Sequence, residues 1–234
     1  MDDLYLRKTG LLDYDAPQIQ ELIRKRNWLE LDDFHRIGAI YDFVQNEILL
    51  GYNRSDTLTA AEVLADGYGQ CNTKATLLMA LLRGAEIPCR LHGAEVCKIF
   101  QRELMMAITA ALAPETIVHT WAEVYYRGKW MALEGVIADK RYLEAVRKRH
   151  PDTRGRFFGY AIAVSDFGKL DVEWRGTDTY VQREAVVTDL GIFDSPDSFF
   201  ADHPQKWGKL VDFAYVHLGR KLMSKRVNAI RCEG

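Results

Sequence analysis

The string Asp66-Gly67-Tyr68-Gly69-Gln70-Cys71 constrains this chain most, because it delivers one cysteine to the start of a strongly apolar helical pattern. From Cys71 onward, Ala75, Leu78, Met79 and Leu82 recur at the spacing of one helix face, which predicts a buried helix. The two glycines allow a sharp turn into it. At a helix head, unpaired backbone N–H groups and the dipole favour negative charge, and therefore the thiolate, the form in which a cysteine attacks. A cysteine considered alone is more often a small core hydrophobe. Here the glycine turn and the helix head point to a nucleophile.

Composition removes several alternatives. At 234 residues the chain suffices for one substantial core with an appendage. Its 31 Lys and Arg against 33 Asp and Glu leave a formal net charge of −2, which gives no global attraction to nucleic acid or to an anionic membrane. Neither is an expected partner. The start, Met1-Asp2-Asp3-Leu4-Tyr5-Leu6-Arg7-Lys8, lacks the basic start and apolar stretch of a signal peptide. The longest apolar run, residues 104–113, would span ~15 Å as a helix, half of a bilayer core of ~30 Å. The expected location is the cytoplasm. Cys71, Cys89, Cys97 and Cys232 are too few for a dense disulfide framework and would stay reduced there. Cys89, His92 and Cys97 lack the paired spacing of a zinc site, and no metal or cofactor is expected.

Along the chain, residues 16–28 and 32–49 read as helices, the second with a stripe of Phe34, Ile37, Tyr41, Val44 and Ile48. A shorter helix opens at Thr59-x-x-Glu62, which has capping-box form, and ends at Gly67. Ile87-Pro88 stops the Cys71 helix, and residues 89–96 follow as a strand. Residues 98–113 read as an inserted helix. Residues 118–126 and 130–136 read as strands joined through Arg127-Gly128-Lys129, a hairpin signal. Beyond Ala138 the pattern loosens through Arg147-Lys148-Arg149-His150-Pro151. Residues 1–140 are accordingly expected to hold the N-terminal helices and the core, and 141–234 a C-terminal extension packed on it. Within that extension, 157–164 reads as a strand, 187–203 as a structured loop, and 207–228 as a helix with a basic face of Arg220, Lys221, Lys225 and Arg226. The fold class is α+β. Both basic stretches read as solvated surface able to meet an acidic partner.

A thiol becomes a useful nucleophile when a histidine can share its proton. His119 heads the best strand, His119-Thr120-Trp121-Ala122-Glu123-Val124-Tyr125, and alternation puts His119, Trp121, Glu123 and Tyr125 on one face. Trp121 either fills the core or shields the imidazole from solvent. A third group must set the tautomer and orientation of the ring. Glu134 falls on the His119 face if the hairpin closes with a two-residue loop, and an odd loop would turn it away. Asp139 is the nearest rival acid.

Taken in order, Gly69-Gln70-Cys71, Ala80-Leu81-Leu82-Arg83, Ile87-Pro88-Cys89-Arg90, His119-Thr120-Trp121-Ala122-Glu123-Val124-Tyr125, Gly128-Lys129-Trp130 and Leu133-Glu134 resemble the transglutaminase-like superfamily over roughly residues 35–140. The resemblance implies a papain-like α+β core, with a cysteine-headed helix packed on an antiparallel sheet that carries the histidine and the acid. It implies Cys71 as nucleophile, His119 as base and Glu134 as the third member. At that third position the family usually has aspartate in a Leu-Asp-Pro context, where this chain has Leu133-Glu134-Gly135. The implied chemistry is acyl transfer from a peptide or isopeptide amide of a peptide or protein substrate through a thioester, with hydrolysis favoured over amine transfer. The Cys71 N–H is the natural first oxyanion donor, and Tyr52 or the Gln70 side chain the second. Glutamate in place of aspartate motivates the alternative, a non-catalytic peptide-binding module that retains the fold.

Overall fold

A computed structural model describes residues 3–105, 114–204 and 214–233. At its centre is helix α4 (Cys71–Gly84), in which every residue from Cys71 to Arg83 is buried. A helix buried all round must be covered on every side. Three earlier helices, α1 (Pro17–Lys25), α2 (Asp33–Asn46) and α3 (Ala60–Asp66), and the main sheet supply that cover. The stripe of α2 and the cap and glycine stop of α3 are the local signals read from the sequence. Asp32 caps α2 by accepting from the N–H groups of Phe34 and His35 at 3.0 and 3.2 Å. Ile37, Tyr41, Val44 and Ile48 of its stripe are buried. Thr59 and Glu62 form the reciprocal cap of α3, which ends on Gly67 in the left-handed region at φ 69°.

The strand before α3, β1 (Leu49–Leu50), pairs in parallel with the one after it, β2 (Tyr68–Gly69). A Cβ at Gly69 would stand 2.7 Å from Thr73 Oγ1 and 2.9 Å from Lys74 Cγ. Only glycine therefore lets the backbone run this close to the first turn of α4.

The main sheet contains β3 (Cys89–Cys97), β4 (Thr116–Tyr126) and β5 (Lys129–Ala132). Two further strands, β6 (Phe157–Gly159) and β7 (Ile162–Val164), form a separate hairpin, and β8 (Val186–Phe193) joins the main sheet. The order is β5-β4-β3-β8, antiparallel throughout. Tyr126 pairs with Lys129, so the β4–β5 loop has two residues, Arg127 and Gly128, with φ of 49° and 83°. Positive φ at both positions is the mirror-image turn whose twist matches paired strands. The cysteine-headed helix lies on this antiparallel sheet, the α+β arrangement expected from the sequence.

Several segments differ from the sequence reading. The strand expected over 130–136 stops at Ala132, and Glu134–Ile137 forms a 3-10 turn. The Leu133 N–H still donates to the Ala122 carbonyl at 2.9 Å, but ψ of 38° then takes the chain out of the pleat, and Glu134 turns into the interior where donors await it. Of the helix expected over 98–113, Lys98–Gln101 is a 3-10 turn, and residues 106–113 lie outside the described ones. Where the pattern loosens after Ala138 there is a helix, α5 (Lys140–Arg149), capped by Asp139 and anchored by Tyr142, Leu143, Ala145 and Val146. The single strand expected over 157–164 is the β6–β7 hairpin, turned by Tyr160 and Ala161 at φ 54° and 57°.

In place of the loop over 187–203 stand β8, an edge strand of the main sheet, and helix α6 (Pro196–Asp202), capped by Ser195. The helix expected over 207–228 begins outside the described residues. Its described part is a π turn, Tyr215–Gly219, and α7 (Arg220–Cys232). Met223, Val227 and Ile230 of α7 join the same apolar cluster as α4.

A buried ion pair ties α7 down. Arg231 Nη2 and Nε donate to the two carboxylate oxygens of Asp139 at 2.7 and 3.0 Å, and Nη2 also reaches the Leu50 carbonyl at 2.9 Å. Beside it, the wholly buried Lys74 donates to the carbonyls of Gln45 and Ile137, each at 3.2 Å. Burial foremost, with the Arg231 charge, outweighs the pull of Asp139 and lowers the Lys74 pKa to about 7. Among the described residues no helix is long and apolar enough to cross a membrane.

Candidate active site

Three elements meet at the site: the head of α4, the first third of β4 and the turn after β5. Asn72, the second residue of α4, fastens two of them. Its Nδ2 donates to the Val118 carbonyl at 3.3 Å, and its Oδ1 accepts from Thr120 Oγ1 at 3.1 Å. Cys71 is thereby held beside the strand that carries His119. Its sulfur is 3.5 Å from Asn72 Oδ1, and the residue is only 9% exposed.

His119 and Glu134 are wholly buried, with Nε2 to Oε1 at 2.7 Å. The other carboxylate oxygen accepts from the backbone N–H groups of Val181 and Gln182 at 2.8 and 2.9 Å. Glu134 is therefore saturated with donors and locked in one rotamer, which answers the cost of burying a carboxylate. With Nε2 bonded to Glu134, the free nitrogen is Nδ1, which has no hydrogen bond of ordinary geometry. The Cys71 sulfur nevertheless acts on this ring. Burial alone pushes the His119 pKa down. The charge on Cys71, followed by the bond and charge of Glu134, outweighs that and raises it to about 10.

The other residues singled out in the sequence fall around this centre. Trp121 is 8% exposed, with its ring centroid 5.5 Å from that of His119 and the planes 40° apart. It packs in a small cluster with Ala94 and Ala132 rather than in the main core, in keeping with a shield over the imidazole. Gln70 is engaged on both sides of its amide, accepting from the Asn53 N–H at 2.8 Å and donating to Asp56 at 2.9 Å. Tyr52 is buried, and its backbone N–H donates to Ser224 Oγ of α7 at 2.9 Å. Burial first, then the charges of Tyr215 and Cys71, hold its phenol well above the ordinary range, so it stays protonated. Asp139, the rival acid, caps α5 and pairs with Arg231.

Residues 24–135 match the model of the transglutaminase-like superfamily. Over this stretch the chain is similar to a transglutaminase-like core. The matched stretch takes in Cys71, His119 and Glu134 and ends one residue beyond the last. The transglutaminase-like core is completed from outside that stretch, because Val181 and Gln182 hold Glu134 and β8 closes the sheet edge. Neither contribution carries a signal in the sequence, since any residue but proline offers a backbone N–H. A solved structure from Cytophaga hutchinsonii, described as a "Putative Cysteine Protease", aligns with 86% of this chain and 48% of its own at 17% identity and a TM-score of 0.46. The chain thus spans about half the length of that structure. No curated protein matches the sequence.

Proposed function

We propose that this protein is a cysteine-dependent acyl-transfer enzyme acting on peptide or isopeptide amide bonds, with water as its principal acceptor. The observation that carries this reading is the buried imidazole of His119, whose Nε2 is paired with Glu134, whose Nδ1 has no partner, and whose pKa is raised by the charge on Cys71. The Cys71 thiolate attacks the amide carbonyl, a C–S bond forms, and the carbonyl electron pair moves onto oxygen. The Cys71 N–H, one of the unpaired donors of a helix head, and the Tyr52 hydroxyl receive that oxyanion. When the intermediate collapses, the C–N bond breaks and the His119 Nδ1 proton goes to the departing amine, leaving a thioester. Water then attacks the thioester and gives its proton to His119, the acid departs, and the thiolate returns. Glu134 accepts from Nε2 throughout and keeps the ring in the useful tautomer. The small exposed area at Cys71 admits water more easily than a lysine chain, which favours hydrolysis.

The test is an acid-quenched incubation with a peptide library, read by intact-protein mass spectrometry. A thioester adduct on Cys71 and free carboxyl products are expected, and Cys71→Ala is expected to abolish both while keeping the native circular dichroism. Turnover that survives Cys71→Ala would end the proposal. Peptide binding without turnover would instead mark a binding module on the same fold.

A further inference from the structure

The sheet face that carries His119 holds a second cluster of charged and aromatic groups. Cross-strand register sets Arg90 opposite Glu123, His92 opposite Trp121 and Ala94 opposite His119. His92 Nδ1 lies 2.8 Å from Glu123 Oε1, and its Nε2 lies 2.9 Å from Asp189 Oδ1 on β8. Glu123 is ionised, because the bonds from His92 and Arg90 outweigh its burial, and Asp189 is kept ionised first by its bond to His92. Both ring nitrogens therefore face acceptors, and only an imidazolium has two N–H groups to give. The remaining charges around the ring are Arg90, 2.7 Å from the second Glu123 oxygen and stacked 4.2 Å over Trp130, and Arg183, which acts on Asp189 from the turn before β8. Asp189 reaches His92 through a register shift. Gly93 pairs with Gly191 and Ala94 with Asp189, so Leu190 is skipped and the strand is re-aimed.

This clamped cation lies flat on Trp121, with ring centroids 4.2 Å apart and planes 21° apart. A planar cation over indole is held by the ring quadrupole. Trp121 in turn meets His119. Its Nε1 has no hydrogen-bond partner, so packing between its neighbours is what orients the indole.

We infer that His92 is a positioning residue of the active site: clamped between Glu123 and Asp189, it presses Trp121 against His119 and so fixes the imidazole plane between Cys71 and Glu134. The inference rests on Cys71 and His119 being the reacting pair. It assigns β8, which lies outside the matched family segment, a part in the chemistry through Asp189.

The experiment follows the pH profile of Cys71 alkylation by iodoacetamide, read peptide by peptide, with the exposed Cys232 as internal reference. In the unmodified protein Cys71 is expected to react faster than Cys232 at pH 6. If it does not, the catalytic reading fails before the present one is reached. His92→Ala is expected to slow Cys71 at pH 6 by about fivefold to tenfold, the scale of a lost cation–π contact, and to shift its profile while Cys232 is unchanged. His92→Arg keeps a planar cation with two carboxylate partners and is expected to restore the profile. A His92→Ala profile that superimposes on the original, or a His92→Arg profile no better than that of His92→Ala, overturns the inference. Should His92→Ala fail to fold by circular dichroism, Asp189→Asn on the exposed strand edge decides. A slower Cys71 is expected from that variant, and an unchanged profile refutes the inference.

Discussion

Replacing Glu134 with glutamine changes the site at one atom while keeping its shape. Glu134 Oε2 takes two backbone N–H groups and Oε1 takes the His119 ring. A glutamine has a single oxygen, and the two backbone donors hold it in the Oε2 place, so the amide NH2 faces His119 Nε2. The imidazolium then loses a charge-assisted bond of ~1.5–3 kcal/mol and gains a buried donor–donor conflict of ~1–3 kcal/mol. Both side chains are fully buried, so solvent does not screen the change. The sum disfavours the imidazolium by about two to four decades at ~1.4 kcal/mol each. The neutral ring left behind carries its proton on Nδ1 and cannot take one from the thiol. The assay is the rate of Cys71 alkylation at pH 6 relative to Cys232. Glu134→Gln is expected to lower it by about a hundredfold or more. A change under about threefold, with native circular dichroism, would refute the reasoning and leave Glu134 a structural carboxylate.

Two further outcomes follow from the buried charges behind α4. Arg231→Met strands Asp139 without its partner in the interior and is expected to destabilise the fold by ~3–5 kcal/mol in urea titrations. An unchanged midpoint would show that α7 contributes little to stability. Lys74, held to about 7 in the native state against an ordinary 10.5, sheds a proton that the unfolded chain keeps. The unfolded state binds more protons between those two values, so stability is expected to rise with pH across that window. Lys74→Met should flatten the rise when urea midpoints at pH 7 and pH 9 are compared, and a slope equal to that of the unmodified protein would contradict it.

Much of the central architecture could be read from local patterns. The 3.6-residue periodicity after Cys71, the Thr59–Glu62 cap, the break at Ile87-Pro88 and the turn within Arg127-Gly128-Lys129 each express a free energy set by residues a few positions apart. All four are realised. The loop has the expected two residues, but Glu134 meets His119 from the turn after β5 and not from the strand face. Elsewhere the local signal misled. The basic run at 147–149 hid α5, whose apolar anchors lie in its first two turns. The exposed, mixed residues of β8 concealed a strand whose partner, β3, lies almost a hundred residues earlier.

By itself, then, the sequence determined that a cysteine heads a buried helix and that a histidine lies in a strand, because hydrophobic period, caps and turn chemistry act over a few residues. Tertiary structure alone decided that the two meet and what surrounds them. The turn that sinks Glu134, the N–H groups of Val181 and Gln182 that hold it, the Asp189 clamp on His92 and the Arg231 anchor on Asp139 all join residues far apart in the chain. A buried carboxylate or imidazolium is tolerated only where donors and acceptors from elsewhere converge, and that convergence is a property of the packed fold.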